Sequence, residues 1–289
     1  MYMLVDIGSG TKIEINEDGK GPTVVLIHGW PVTAYHWRSL VPALKAAGYH
    51  AVAITLRGLG GRSKGNGSFD KLTLAQETKQ VLQKLGVDRY AVIGHDWGGT
   101  VAFLLSHLDV HSCHALIVEE EILPGVDVEI PSPGKHFYPK WHGPLNRAVG
   151  LAEELIQGRE AIYYQRFLAE SAGKHLLQRQ AEFQYVAAYT NPKTVSSQLS
   201  DSLDYYRTQA QDEQQVKAFL CTSLSIPILA IGGEFAMGAA VKSGLARAGS
   251  DLAGFVCNGA GHYPAEQEAE LFSKEVLKFL NCRFLANQE

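Results

Sequence analysis

The segment from Val92 to Gly99, VIGHDWGG, restricts the fold of this chain more than any other stretch. A strand-like apolar run ends at Gly94 and a helical pattern begins near Trp97, so the backbone must turn sharply between them. Glycines two residues either side of Asp96 let the backbone pass, and the turn presents the Asp96 side chain in a strained conformation. Taken alone, such an aspartate could also be an ordinary turn or helix-cap residue.

Short strand patterns alternate with helical patterns on both sides of this turn. The alternation predicts βαβ units on a mostly parallel central sheet flanked by helices. The predicted strands are Pro22–Ile27, His50–Leu56, Arg89–Gly94, Cys113–Glu119, Ile226–Gly232 and Gly254–Gly259. Apolar residues at helical spacing predict helices over 74–85 and 101–108, and residues 268–280 form an amphipathic closing pattern.

The middle of the chain, residues 125–219, has no convincing strand pattern and begins with a proline-rich stretch. We therefore predict a core made of residues 1–124 and 220–289, with a helical lid inserted between them. Seven of the 12 tyrosines lie in this insertion: Tyr138, Tyr163, Tyr164, Tyr185, Tyr189, Tyr205 and Tyr206. Their amphipathic rings are typical of a lid over an apolar pocket, although packing between helices would account for most of them.

Composition excludes several classes of function. A net charge of -4 and a pI near 6.3 give no basic surface for nucleic acid. The N-terminus has no signal-peptide pattern and no run approaches the roughly 18 apolar residues of a membrane span, so we expect a soluble, cytoplasmic protein. The cysteines Cys113, Cys221, Cys257 and Cys282 form no C-x-x-C pair. We therefore expect buried free thiols and neither a metal nor a redox motif.

An aspartate at the centre of the turn favours covalent chemistry at a saturated carbon. Asp96 is ionised at neutral pH and can displace oxygen or halide directly, which gives an aspartyl ester. A serine would form a stable ether there, whereas an ester can be cleaved by water that a histidine activates. The sequence must then also supply oxyanion donors and a histidine late in the chain.

Both requirements are met. The segment IHGWP, Ile27 to Pro31, follows a predicted strand and can offer the backbone N–H of Trp30 to the oxyanion, with the N–H of Trp97 as the second donor. The late histidine is His262 in GAGHYP, placed after the last predicted strand. For His28 and His95 we expect structural roles, in which they hold loops by hydrogen bonds.

With these motifs in this order, the chain resembles the α/β-hydrolase family and, within it, the soluble-type epoxide hydrolases. HGWPVTAYHW is similar to their HGxP segment, GHDWGG matches their nucleophile turn, and LRGLGGRS is similar to their R-G-x-G loop. The resemblance implies the α/β-hydrolase fold and conversion of a small apolar epoxide and water to a vicinal diol, without cofactor. It leaves oligomeric state open, a homodimer included.

The acid that orients His262 departs from the common family pattern. Its usual position after the penultimate strand is Ala236 here. Some bacterial members of the family carry the segment M-E-A-P-I-P, and alignment of EEEILP with it puts Glu120 at the position of the acid. Glu234 is the main alternative. Three consecutive glutamates, residues 119–121, are otherwise typical of a solvated edge.

The resemblance also implies lid groups that donate hydrogen bonds to the epoxide oxygen. Tyr206 in LDYYR matches the tyrosine before arginine, and His142 in KWH matches a histidine that some bacterial members use. Tyr164 in YYQ is an alternative to His142. Each of the three could instead be ordinary lid packing.

Of three alternative functions, one remains open at this point. A haloalkane dehalogenase would use the same Asp96 nucleophile, with the indole N–H of Trp97 holding halide. A fluoroacetate-type dehalogenase is disfavoured because the positions after the nucleophile that would carry arginines are Trp97 and Thr100. A ligand receptor on a hydrolase fold is disfavoured because nucleophile, base and candidate acid are all present.

Overall fold

An eight-stranded sheet forms the centre of the computed structural model, which describes residues 2–191 and 195–285, apart from the side chains of 195–197. Its strands are β1 (Tyr2–Gly8), β2 (Thr11–Gly19), β3 (Thr23–Ile27), β4 (His50–Ile54), β5 (Tyr90–His95), β6 (Cys113–Glu119), β7 (Ile228–Gly233) and β8 (Leu252–Cys257). They lie in the order β1-β2-β4-β3-β5-β6-β7-β8, and the pairs from β4 to β8 are parallel, whereas β1 and β2 are antiparallel to their neighbours.

The helices pack on both faces of the sheet and fill the segment between β6 and β7. They are α1 (Leu40–Ala46), α2 (Lys71–Leu85), α3 (Trp97–Leu108), α4 (His142–Arg147), α5 (Leu151–Ile156), α6 (Glu160–Ser171), α7 (Arg179–Tyr189), α8 (Val195–Arg207), α9 (Gln209–Phe219), α10 (Ala240–Gly244), α11 (Pro264–Gln267) and α12 (Ala269–Phe279). Helices α4 to α9 lie within residues 125–219, which we call the lid segment, and the described part of that segment contains no strand.

The predicted α/β class and mostly parallel sheet are confirmed. Each of the six predicted strands lies within about two residues of an observed one. The antiparallel pair β1 and β2 was not predicted, because its residues mix charged and apolar side chains and lack the continuous apolar run of the buried strands. This pair covers the edge of the sheet beside β4.

Two hydrophobic layers hold the sheet. On one face, Leu44 of α1 packs with Phe272 and Val276 of α12. On the other, the apolar sides of α2 and α3 join a larger cluster that continues into the lid segment through residues such as Phe167 and Leu203. Because the lid segment shares this second layer, its helices are fixed relative to the carboxyl ends of the strands.

A buried ion pair adds a polar link between the lid segment and the core. Lys71 Nζ of α2 lies 2.8 Å from Asp212 Oδ2 of α9, and neither side chain is exposed. The ammonium group also stands 3.9 Å from the centre of the Trp97 ring. A buried charge of this kind requires its partner, so the pair fixes α9 over the start of α3.

The prediction for the thiols is wrong in part. Cys113 and Cys257 are buried, but Cys221 and Cys282 are exposed, and all four are free. Cys221 follows the end of α9, and Cys282 lies in the last helical turn of the described chain, where the backbone runs along the surface. Over residues 2–191 and 195–285, no helix is long and apolar enough to cross a membrane.

Candidate active site

The turn between β5 and α3 holds Asp96 in a conformation that residues other than glycine rarely adopt, with φ at 50° and ψ at -133°. Close backbone packing requires the glycines around it. A Cβ on Gly94 would lie 2.2 Å from the Gly98 carbonyl oxygen, and one on Gly98 would lie 2.4 Å from that of Ile27. The Asp96 carboxylate therefore stands at the start of α3, where the helix dipole favours negative charge.

Three buried side chains meet at this turn. His262, in the loop after β8, places Nε2 3.3 Å from Asp96 Oδ2 and Nδ1 2.9 Å from Glu120 Oε2. His262 and Glu120 have no exposed side-chain surface, and Asp96 is nearly buried. Because parallel strands bring their carboxyl ends to the same edge of a sheet, residues after β5, β6 and β8 converge here.

Glu120 is held rigidly in its position. Its Oε1 accepts hydrogen bonds from the backbone N–H of Gly233, at 2.6 Å, and of Met237, at 3.1 Å. Its own backbone has a positive φ of 51°, which turns the side chain from the end of β6 towards His262. With Nδ1–H donating to Glu120, Nε2 is the ring nitrogen left to face Asp96.

The alternative acid, Glu234, lies elsewhere. Its Oε2 accepts a hydrogen bond of 2.9 Å from the backbone N–H of Gly259, in the turn after β8. Ala236, the usual position of the acid, is fully buried and carries no group that could reach His262. Of the two glutamates predicted from the sequence, the structure brings only Glu120 to the imidazole.

The two carboxylates control the charge of His262. Burial alone would lower its pKa, but attraction to the Asp96 and Glu120 carboxylates, together with the hydrogen bond to Glu120, outweighs burial and raises the pKa to about 10. The imidazole is therefore protonated at neutral pH. Any change that neutralises Asp96 removes one of the two interactions that favour the proton.

A backbone donor in the loop after β3 points at the Asp96 carboxylate. The N–H of Trp30 donates to Asp96 Oδ1 at 2.8 Å. The preceding residue must be glycine, since a Cβ at Gly29 would come within 2.4 Å of the Asp96 Cβ. Trp97, the second predicted donor, is the first residue of α3, where backbone N–H groups have no partner within the helix.

Two residues of the lid segment that were predicted from the sequence, Tyr206 and His142, pack against Trp30 beside Asp96. The ring of Tyr206 lies edge-on to Trp30, with centroids 5.1 Å apart, and to Trp97, at 5.4 Å. His142 stacks on Trp30 at 5.9 Å and meets Tyr206 edge-on at 5.6 Å. Burial, followed by the charge of Asp96, raises the pKa of Tyr206 well above its usual range, while burial lowers that of His142 to about 4. Both groups are neutral at pH 7 and able to donate a hydrogen bond.

Tyr164 does not share this arrangement. Its hydroxyl is 2.7 Å from Ser202 Oγ, and its ring stacks on Tyr189 with centroids 4.1 Å apart. The ring contacts Trp30, but the hydroxyl is hydrogen-bonded to Ser202 of α8. The tyrosine that sequence analysis missed is Tyr138, whose ring lies 5.0 Å from the imidazole of His262. It stands in the irregular stretch before α4, where no periodic pattern indicates which way a side chain points.

The three consecutive glutamates do not form a solvated edge, as their sequence suggested. Glu119, Glu120 and Glu121 are all buried, and each has its own partner. Glu119 Oε2 lies 2.9 Å from His36 Nε2, Glu120 binds His262, and Glu121 accepts a hydrogen bond from the Thr100 hydroxyl. The partners come from distant segments, so the local sequence carries no sign of them.

The remaining two histidines near the site hold loops. His28 Nδ1 lies 3.0 Å from the Gly29 carbonyl, and its Nε2 accepts from the backbone N–H of Leu56 at 3.1 Å. His95 Nε2 lies 2.8 Å from the carbonyl oxygen of His262 and so fixes the loop that carries the imidazole. Burial lowers the pKa of both rings, which keeps them neutral.

Comparison with known proteins fits this geometry. A family model described as the alpha/beta hydrolase fold matches residues 22–269, which is most of the chain. The chain belongs to the alpha/beta hydrolase family. In that fold, a nucleophile presented between a strand and a helix, with a histidine late in the chain, is the recurring arrangement.

Relatives within the alpha/beta hydrolases include epoxide hydrolases. The chain is 27% identical to the soluble epoxide hydrolase of Corynebacterium sp. (strain C12) over 278 residues, 94% of each protein. It is 39% identical to epoxide hydrolase B of Mycobacterium tuberculosis over 170 residues, 57% of this chain and 46% of that protein. The solved structure of the epoxide hydrolase CorEH superposes with a TM-score of 0.85 at 26% identity, covering 97% of this chain and 98% of that one. The resemblance drawn from the motifs is thereby confirmed.

The buried carboxyl of Glu121 generates a prediction about pH and stability. Burial, followed by the charge of Asp96, raises its pKa from 4.5 to about 8. Between these values the folded chain holds a proton that the unfolded chain releases, so the free energy of unfolding falls as pH rises. Glu121→Gln removes this effect. Between pH 4.5 and about 8, the free energy of unfolding of the variant should therefore rise relative to that of the wild type by up to ~1.4 kcal/mol per pH unit.

Urea unfolding at pH 5, 6.5 and 8 measures this difference. Glu129→Gln is the matched control, because the Glu129 side chain is 84% exposed and its substitution should give the same difference at each pH. A difference between Glu121→Gln and wild type that stays constant with pH would contradict a neutral, buried Glu121.

Proposed function

We propose that this chain is an epoxide hydrolase that opens an epoxide to a vicinal diol through an ester on Asp96. The observation that carries the proposal is the pair of neutral lid donors, Tyr206 and His142, grouped with Trp30 beside a carboxylate nucleophile. An epoxide oxygen becomes an alkoxide when the ring opens, and such donors stabilise that charge. The epoxide hydrolase relatives named above support the same substrate class.

In the first step, an oxygen of Asp96 attacks an epoxide carbon, a C–O bond of the ring breaks, and an ester forms. The hydroxyl of Tyr206 and a ring N–H of His142 stabilise the oxygen that leaves the carbon. The Asp96 conformation and the 2.8 Å hydrogen bond from Trp30 to its Oδ1 leave Oδ2, beside His262, as the oxygen that attacks. The lid groups act only as charge develops, so they lower the barrier rather than tighten substrate binding.

The proton balance follows from the charge of His262. The imidazolium of the free enzyme can supply the proton that neutralises the new alkoxide. Once Asp96 is a neutral ester, His262 loses one of the two carboxylates that raise its pKa and becomes a base. It can then accept a proton from water, which no protonated histidine could do.

In the second step, water attacks the carbonyl carbon of the ester while His262 Nε2 takes a proton. The developing oxyanion is stabilised by the backbone N–H groups of Trp30 and Trp97. Collapse breaks the bond between the Asp96 carbonyl carbon and the second oxygen of the diol. That oxygen takes the proton of the hydroxyl that water added to Asp96, which restores the Asp96 carboxylate beside an imidazolium. Glu120 orients the ring and stabilises its positive charge through both steps.

The haloalkane dehalogenase alternative has one observation in its favour. The indole Nε1 of Trp97 is buried and has no hydrogen-bond partner in the described part of the chain, so it could donate to a halide. The grouping of Tyr206 and His142 favours the epoxide, because an alkoxide needs proton donors whereas a halide does not. Products of both substrate classes separate the two functions.

The wild type should release diol from small apolar epoxides faster than halide from matched haloalkanes. Tyr206→Phe keeps the ring against Trp30 and Trp97 and removes one donor, so ester formation with epoxide should slow by about 10²-fold, less if His142 compensates. His142→Phe should slow the same step. Rapid-quench mass spectrometry of the enzyme measures ester formation directly. An unchanged rate of ester formation in Tyr206→Phe, or halide release faster than diol release in the wild type, would contradict the proposal and favour the haloalkane dehalogenase.

The assignment of the acid has its own matched pair of variants. Glu120→Gln should slow hydrolysis of the ester, since the imidazolium loses its charged partner, and ester should accumulate. His262→Gln should block hydrolysis and trap enzyme with the added mass of substrate. Glu234→Gln is the control, because Glu234 binds Gly259 and not His262. Slower hydrolysis in Glu234→Gln than in Glu120→Gln would overturn the assignment.

A further inference from the structure

Tyr138 brings a third phenol to the active site. The centre of its ring lies 5.0 Å from the imidazole of His262, inclined by 62°, and 5.9 Å from the ring of His142, nearly perpendicular. The side chain is partly buried against the core. One aromatic ring therefore spans the gap between the base at the sheet and the histidine of the lid segment.

The turn that carries Tyr138 is seated on the loop that fixes the acid. The Tyr138 N–H donates to the Gly134 carbonyl at 3.0 Å, and Gly134 packs so closely that an added Cβ would lie 1.7 Å from the Ala236 carbonyl oxygen. The same loop supplies the N–H groups of Gly233 and Met237 that hold Glu120. Tyr138 and Glu120 are thus positioned against one another through a shared, tightly packed loop.

Tyr138 and Tyr206 contact different neighbours of Asp96. Burial raises its pKa well above the usual range, and the next contributions come from Asp96 and then Glu120. For Tyr206, burial also raises the pKa well above the usual range, and the next contributions come from Asp96 and then Tyr138. The Tyr138 ring packs against His262, whereas the Tyr206 ring packs against Trp30 and Trp97.

His262 has one ring nitrogen, Nε2, that a reactant could contact. Its Nδ1 is taken by Glu120, and its Nε2 is buried, lies 3.3 Å from Asp96 Oδ2, and makes no hydrogen bond of normal geometry within the described residues. A water that attacks the ester must contact this nitrogen and the carbonyl carbon of Asp96 together. Such a water has a second O–H, which also needs an acceptor.

We propose that the Tyr138 hydroxyl oxygen accepts the second O–H of the attacking water and so directs its lone pair at the Asp96 ester. The inference rests on the proposed epoxide hydrolase function and assigns Tyr138 to hydrolysis alone. One O–H of the water passes its proton to His262 Nε2 as the new C–O bond forms. The other O–H stays intact in the hydrogen bond during this addition and gives its proton to the diol oxygen only when the intermediate collapses, so Tyr138 neither gains nor loses a proton.

Tyr138→Phe tests this role, because it keeps the ring against His262 and His142 and deletes only the hydroxyl. In single turnovers with styrene oxide as the probe, we expect ester formation at the wild-type rate and ester hydrolysis slowed by about 10-fold, the loss of one orienting hydrogen bond. Ester should therefore accumulate on Asp96 in mass spectra. Tyr206→Phe should show the opposite pattern, with slow formation and normal hydrolysis.

Tyr49→Phe is the matched control, since the Tyr49 hydroxyl binds Asn281 at 2.7 Å in the hydrophobic layer on the other face of the sheet. It should leave both steps unchanged. Tyr138→Leu removes the ring as well, and normal hydrolysis in Tyr138→Phe with slow hydrolysis in Tyr138→Leu would reduce Tyr138 to a packing residue. Slow ester formation in Tyr138→Phe would place its hydroxyl on the epoxide oxygen instead.

Failure of the proposed function looks different. If the wild type forms neither ester nor diol from the epoxide, the epoxide hydrolase proposal itself is wrong. If the wild type completes both steps and Tyr138→Phe matches it in each, only the role of Tyr138 is lost.

Discussion

The site depends on one buried imidazole held between two carboxylates. His262 lies 2.9 Å from Glu120 and 3.3 Å from Asp96, and removing either carboxylate would leave an ion in a low-dielectric interior without full compensation. The surrounding structure maintains this spacing. Positive φ angles at Asp96 and Glu120 aim both side chains at the ring, and His95 anchors the loop that carries it. Dense packing at the strand ends stabilises the strained backbone conformations of Asp96 and Glu120.

In the proposed mechanism the orienting acid comes from the end of β6, and the loop after β7 holds it in place. The end of β7 and the loop after it, which carries Ala236, offer two backbone N–H groups to Glu120. It also packs directly against Gly134, at the base of the turn that places Tyr138 beside His262. A buried carboxylate that accepts several backbone hydrogen bonds stays oriented without help from solvent, which suits an acid whose role is to fix a ring.

Much of this architecture could be predicted from the sequence, and the failures have physical causes. The parallel strands carry continuous apolar runs, so the sheet follows from local patterns. The glycines around Asp96 indicate the turn, so the positions of Asp96 and His262 also follow from local patterns. The burial of Glu119 and Glu121 does not, because their partners, His36 and Thr100, are remote in the chain. Burial of charge is decided by tertiary partners, and sequence alone does not pair them.

The most direct test of the account is the fate of the oxygen from water in a single turnover. With enzyme in excess over epoxide in heavy-oxygen water, an ester mechanism places the label in the Asp96 carboxylate, while the first diol released carries the oxygen that Asp96 supplied. Peptide mass spectrometry locates the label, and the diol is analysed in parallel. The ester mechanism predicts a labelled Asp96 and an unlabelled first diol. Label in that diol, with Asp96 unlabelled, would mean that water attacks the epoxide itself.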